Sequence, residues 1–218
     1  MKELLIAICI YLSIGYINEF TAENQVYHNI NDPPLYDRGH ELFPTIRQVY
    51  PNYLLISLGC YFILRWCIQY PRVAVNYLWM ISFLFAGRVI VLTVTQLPPP
   101  VKGCSTVQRG DPLHFHVLKK TWTECIDLMY SGHAIHAVLI LMFVLYLSPY
   151  KVEKLILFIL TIVELFFIIA SKLHYTSDVL IATLVSVLTF VSWTDINSIV
   201  NHWYHGGIYG RLLKKSIN

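Results

Sequence analysis

The chain has 218 residues, of which 56% are hydrophobic and only 13% charged, where a soluble domain carries roughly a quarter charged residues. Its mean hydropathy is +0.55, so most of its surface does not meet water. The formal net charge of +3 is small, and no basic patch interleaved with aromatics occurs, which excludes a nucleic-acid partner. No Pro/Gly/Ser-rich linker, internal repeat or low-complexity tract divides the sequence, so a single domain over 1–218 is expected.

A bilayer core of roughly 30 Å needs about 20 apolar residues in a helix. Six runs qualify as candidates, which predicts an all-α, polytopic six-transmembrane-helix protein. The first, 4–17, is short and follows Lys2, so it also reads as a signal peptide. The stretch Glu19-Phe20-Thr21-Ala22 is a poor cleavage site. A loop over 18–51 comes next and carries Pro33-Pro34-Leu35-Tyr36-Asp37. The second run is 52–70, and the third, 73–97, is interrupted by Arg88. A second long loop covers 98–127. The fourth run is 128–147, the fifth is 152–170 with Glu164 inside it, and the sixth is 179–200, where Trp193 and Asp195 mark an interface. Tyr50, Tyr53, Trp66, Tyr70 and Trp79 crowd the ends, as an aromatic belt should.

Six spans place both termini on one face. Lys and Arg then divide almost evenly between the faces, too evenly to orient the chain by the positive-inside rule. The two long loops share the face opposite the termini, which we take as lumenal or extracellular. Lys214 and Lys215 then read as a cytosolic, phospholipid-facing anchor.

Three histidine and carboxylate clusters matter, one of them Pro33-Pro34-Leu35-Tyr36-Asp37 in the first loop. Asp127-Leu-Met-Tyr-Ser-Gly-His133 enters the fourth run, and Ser171-Lys-Leu-His174-Tyr-Thr-Ser-Asp178 leaves the fifth. The fourth run starts on the lumenal face and the fifth ends there, so His133 and His174 share that face in either orientation. His174 and Asp178 are four apart; in a helix they lie on one face. The carboxylate then fixes the imidazole tautomer and makes the other ring nitrogen more nucleophilic. His133 suits general acid and base work. His114, His116, His202 and His205 read as interfacial polar residues. No Cys/His spacing typical of zinc occurs, so no metal is assigned.

The run Cys125-Ile-Asp127-Leu-Met-Tyr-Ser131-Gly132-His133 resembles the third motif of sphingomyelin synthases and inositol phosphorylceramide synthases, a branch of the lipid phosphate phosphatase (PAP2) superfamily. His174-Tyr-Thr-Ser-Asp178-Val resembles their fourth, Arg88 through Thr95-Gln96-Leu97-Pro98-Pro99-Pro100 their second, and Pro33-Pro34-Leu35-Tyr36-Asp37 their first. All four occur in family order from Pro33 to about Phe190. Ile126 stands where the family commonly has Gly, and Tyr36 where it has Pro; the Thr-Gln-Leu-Pro run looks closer to plant and protist inositol-type enzymes.

The resemblance implies a PAP2-like core and a ceramide phosphotransferase. A glycerophospholipid donates phosphocholine or phosphoinositol to ceramide, and diacylglycerol leaves. His174 would attack phosphorus, Asp178 would orient it, and His133 would move the protons. Asp127, Arg88 and Asp37 are supporting candidates. Membrane lipids are the implied partners, no cofactor is implied, and a homo-oligomer is left open. The Golgi or plasma membrane is the implied location. A lipid phosphate phosphatase would use the same histidines with water as acceptor, but its KxxxxxxRP-type motif is not found. A non-catalytic scaffold or transporter would not need the three residues together.

Two further expectations come from position. Arg88 lies ten residues before Pro98, and Glu164 ten before His174. The two spans run the same way, so the charges share a depth and a pair between them is expected. Cys104 and Cys125 flank the second lumenal loop. In an oxidising lumen they are expected to form a disulfide closing about 20 residues, for roughly 3 kcal/mol.

Overall fold

The computed structural model describes residues 2–24, 33–95, 97–100 and 128–205, without the side chains of 23, 24 and 194–205. Among these residues the secondary structure is entirely helical. Helix α1 runs Lys2–Asn24, the short α2 Arg38–Leu42, and α3 Val49–Phe62, which continues through a π turn over Ile63–Cys67. Helix α4 runs Pro71–Val94, α5 Gly132–Leu147, α6 Lys151–Ala170 and α7 Thr176–His205.

Each apolar run predicted from the sequence overlaps a helix. Three stretches are long and apolar enough to cross a membrane: Lys2–Ala22, Pro71–Val94 and Thr176–Trp193. The 24 residues of α4 span about 36 Å at 1.5 Å per residue. Helix α5 is apolar but shorter, and α6 carries Lys151, Glu153, Lys154 and Glu164.

The ends differ from the predicted boundaries for local reasons. Pro71 begins α4, where its missing N–H costs nothing. That helix stops at Val94, because Thr95 turns extended ahead of the three prolines. Helix α5 begins four residues later than predicted. Residues 128–131 form a turn instead, with Met129 at φ 81° and Tyr130 at φ 22°. Ser131 then caps α5 by accepting from the Ala134 N–H at 3.3 Å. Helix α1 outgrows the predicted 4–17 because its polar end has a protein partner: Asn18 is buried against α4.

Helix α5 is the centre. It packs on α3, α4, α6 and α7, and Ala134, Ile135, Leu139 and Val144 on it are fully buried. Small residues at one end and Phe143 at the other suit this position. Phe143 meets Phe62, Tyr77 and Phe190 at ring centroid distances of 5.7, 6.0 and 5.1 Å. The apolar side chains Leu12, Phe83, Ile90, Leu155, Leu180 and Leu184 instead point outward and are exposed. An outward apolar belt of that kind is what lipid tails require. At the end of the bundle away from His133, Glu153 accepts from the hydroxyls of Tyr61 and Ser148. Arg65 approaches the same carboxylate at 3.9 Å while its guanidinium sits over Trp66. The π turn is thereby fastened to the α5–α6 connection.

Candidate active site

Helix α6 closes at Ser171 and Lys172, the latter left-handed at φ 56°. The chain then passes through Leu173, His174 and Tyr175 before α7 starts at Thr176. His174 is therefore ahead of the helix, not inside it. Asp178, in the first turn of α7, faces back toward it. Its Oδ2 accepts from the Tyr175 N–H at 3.2 Å and stands 3.7 Å from His174 Nδ1. Both side chains are buried. The separation lies within ion-pair range and is longer than a hydrogen bond.

His133 is the second residue of α5. Its Nε2 lies 2.6 Å from Asn52 Oδ1, in the first turn of α3. The turn before His133 is joined directly to the other motif, since the Ser131 N–H donates to the carbonyl of Asp178 at 3.3 Å. Both histidines therefore sit at one end of the bundle, on elements tied by backbone.

A strap from the first loop lies over the His174 turn. Asp37 caps α2 by accepting from the His40 N–H at 3.1 Å. The same carboxylate accepts from the N–H and the hydroxyl of Thr176, each at 2.7 Å. Burial acts to raise this carboxyl, but the bonds from Thr176 and His40 outweigh it and hold the carboxyl below its ordinary range. His40 Nε2 donates to the His174 carbonyl at 2.9 Å, and its ring stacks on Tyr175 with centroids 5.7 Å apart. The Tyr175 hydroxyl accepts from the Leu35 N–H at 3.1 Å and donates to the Pro98 carbonyl at 2.9 Å. Burial, with the Asp178 and Asp37 carboxylates nearby, raises the Tyr175 phenol above its usual value. Gly39 lets the strap close, because a Cβ there would overlap Thr176 Oγ1.

Arg88 is buried and holds the approach to His133. Its Nε donates to the Tyr130 carbonyl at 2.8 Å, and Nη1 to Asn18 Oδ1 at 3.0 Å. Tyr130 in turn donates its hydroxyl to the Leu84 carbonyl at 2.6 Å. The expected Arg88–Glu164 pair does not form. Glu164 is fully buried, and neither of its carboxyl oxygens has a hydrogen-bond partner. The reason is lateral: α4 packs on α1, α5 and α7 but not on α6, so shared depth does not make the two residues neighbours. Asp127, Cys104 and Cys125 lie outside the described residues, as do His114, His116 and the side chains of His202 and His205.

Residues 124–195, which hold His133, His174 and Asp178, match the family described as PAP2 superfamily C-terminal. A phosphatidylethanolamine:ceramide ethanolaminephosphotransferase of Trypanosoma brucei brucei is 32% identical over 120 residues, covering 51% of this chain and 37% of the relative. A phosphatidylinositol:ceramide inositolphosphotransferase of Leishmania major is 29% identical over 133 residues, covering 56% of this chain and 38% of the relative. The chain is thus similar to the PAP2 superfamily over 124–195 and to ceramide phosphotransferases over about half of its length. The aligned part spans little more than a third of the length of these relatives.

Sequence reasoning had singled out His133, His174, Asp178, Arg88 and Asp37. It had missed Asn52, His40, Tyr175, Thr176 and Asn18. Only His40 left a signal, as the third residue after a capping aspartate.

Proposed function

We propose that this protein is a ceramide phosphotransferase that moves a phosphorylated head group from a glycerophospholipid to ceramide and releases diacylglycerol. The observation that carries the reading is the pairing of two unlike histidine environments at one end of an apolar bundle: His174 against a carboxylate, His133 against an amide. The relatives named above transfer phosphoethanolamine and phosphoinositol head groups to ceramide, which supports the reaction class.

In the proposed first step, His174 attacks the donor phosphorus through Nε2 while Nδ1 faces Asp178. The bond from phosphorus to the diacylglycerol oxygen breaks, and that oxygen takes a proton from His133. In the second step, the primary hydroxyl of ceramide gives its proton to His133 and attacks the phosphohistidine. The P–N bond breaks and His174 is restored. Asp178 balances the positive charge on the His174 ring in both steps. Arg88 and Asp37 act through structure, one beneath the His133 turn and the other on the strap.

In the proposed topology all six long helices cross the membrane. Both termini are cytosolic, and the site opens on the lumenal or extracellular face of the Golgi or plasma membrane. Donor and acceptor lipids then reach the histidines from the bilayer without leaving it.

The test uses purified full-length protein with labelled ceramide and, separately, phosphatidylinositol, phosphatidylethanolamine or phosphatidylcholine. A labelled phosphosphingolipid with one of the three donors is the expected result. Release of water-soluble head-group phosphate alone would identify a hydrolase and overturn the transferase reading.

A further inference from the structure

His133 has its Nε2 2.6 Å from Asn52 Oδ1. Which end of the Asn52 amide faces the ring follows from a second bond. Asn52 Nδ2 donates to the Gln48 carbonyl at 3.3 Å, and a carbonyl can only accept. The amide oxygen therefore faces His133. An amide oxygen has no proton to give, so the ring nitrogen in front of it must carry the hydrogen. Asn52 itself is buried in the first turn of α3, a position where an unsatisfied amide would be costly.

We propose that Asn52 is a positioning residue that holds His133 with its proton on Nε2, so that the proton exchanged with the lipids is the one on Nδ1. The proposal rests on the acid–base role given to His133 above. The Nε2–H donates to Asn52 in both states of the ring, neutral and cationic. The ring thus keeps its orientation when Nδ1 gives its proton to the leaving alkoxide and when Nδ1 takes one from the ceramide hydroxyl. A neutral amide does this while stabilising the cation less than a carboxylate would. His174, which must build positive charge as it bonds to phosphorus, faces the carboxylate of Asp178 instead. The two partners divide the work of the two histidines.

The first test needs no activity. Protein labelled with 15N in its histidine rings gives a long-range proton–nitrogen spectrum in which His133 is assigned by its loss in His133→Ala. At a pH where the ring is neutral, it should show the Nε2–H tautomer; an Nδ1–H tautomer would overturn the proposal. The second compares Asn52→Leu, which removes the acceptor at similar volume, with Asn52→Asp, which keeps it. Asn52→Leu should lower kcat by roughly 10–100-fold with little change in KM, and Asn52→Asp, which restores an acceptor but overstabilises the cation, should recover part of that loss. Normal kcat in Asn52→Leu, or equal loss in both variants, would count against Asn52 as the positioning group. If wild-type protein moves no phosphate at all, the reading of function fails, and the ring spectrum still decides the tautomer.

Discussion

The amide of Ser131 donates to the carbonyl of Asp178 across 3.3 Å. This one backbone bond couples the turn that delivers His133 to the helix start that delivers Asp178. The site should therefore respond to mutation as a unit.

Replacing His174 by Ala, His133 by Ala or Asp178 by Asn should leave the protein in the membrane and remove most lipid transfer. The loss for His133→Ala should be roughly 10²–10⁴-fold, as for a general acid–base group, and the loss for His174→Ala larger. Assaying each variant in detergent after confirming its membrane extraction checks this. Near-normal transfer by His174→Ala would exclude it as the nucleophile.

The strap should matter through Asp37 and Gly39. Asp37→Ala removes a helix cap and two bonds to Thr176, for a loss of roughly 1–3 kcal/mol and slower transfer. The Asp37 carboxyl is held below its ordinary range in the folded protein, so its contribution is full above the unfolded value of about 3.9 and fades as pH falls through the folded value. Melting curves in acid should accordingly flatten in Asp37→Asn. Gly39→Ala should cut activity, since the new Cβ meets Ile169 Cγ2 at 3.0 Å and overlaps Thr176. Gly59→Ala, with nothing within 4 Å, should be silent.

Arg88 and Glu164 should behave independently. Arg88→Gln withdraws the donors that hold the Tyr130 carbonyl and Asn18, and should cost at least about 2 kcal/mol because a buried acceptor is left behind. Glu164→Gln should change melting temperature little. A double-mutant cycle would read a coupling near zero; coupling above about 1 kcal/mol would restore the ion pair.

Cys104 and Cys125 are proposed to be joined in protein made through the secretory pathway. A peptide map without reduction should recover them as one cross-linked pair. Recovery of both as alkylated free thiols would exclude the bond.

Much of the architecture was legible in the chain because lipid imposes a one-dimensional rule. A helix must satisfy its own backbone and be apolar for about 20 residues, and such runs can be counted. The order of those runs predicted that His133 and His174 lie at the same end, as they do in the bundle, while Asp178 reaches His174 across the turn ahead of α7 and not along a shared helical face. These inferences need only short segments and their order.

What remained hidden depends on which helices are neighbours, and the chain order does not say. Arg88 and Glu164 share a depth, yet α5 and α7 rather than α6 pack on α4, so the pairing argument failed. The contacts that position the site join residues far apart in the chain: 81 positions between Asn52 and His133, 134 between His40 and His174, and 139 between Asp37 and Thr176. No periodicity encodes such pairs, because each is set by how a polar side chain at a helix end finds satisfying partners when the bundle closes. The sequence alone determined that this is an apolar helical chain, and it singled out two histidines and an aspartate as candidates to act together. The tertiary structure alone decided which amide faces His133, which loop clamps His174, and where Arg88 spends its hydrogen bonds.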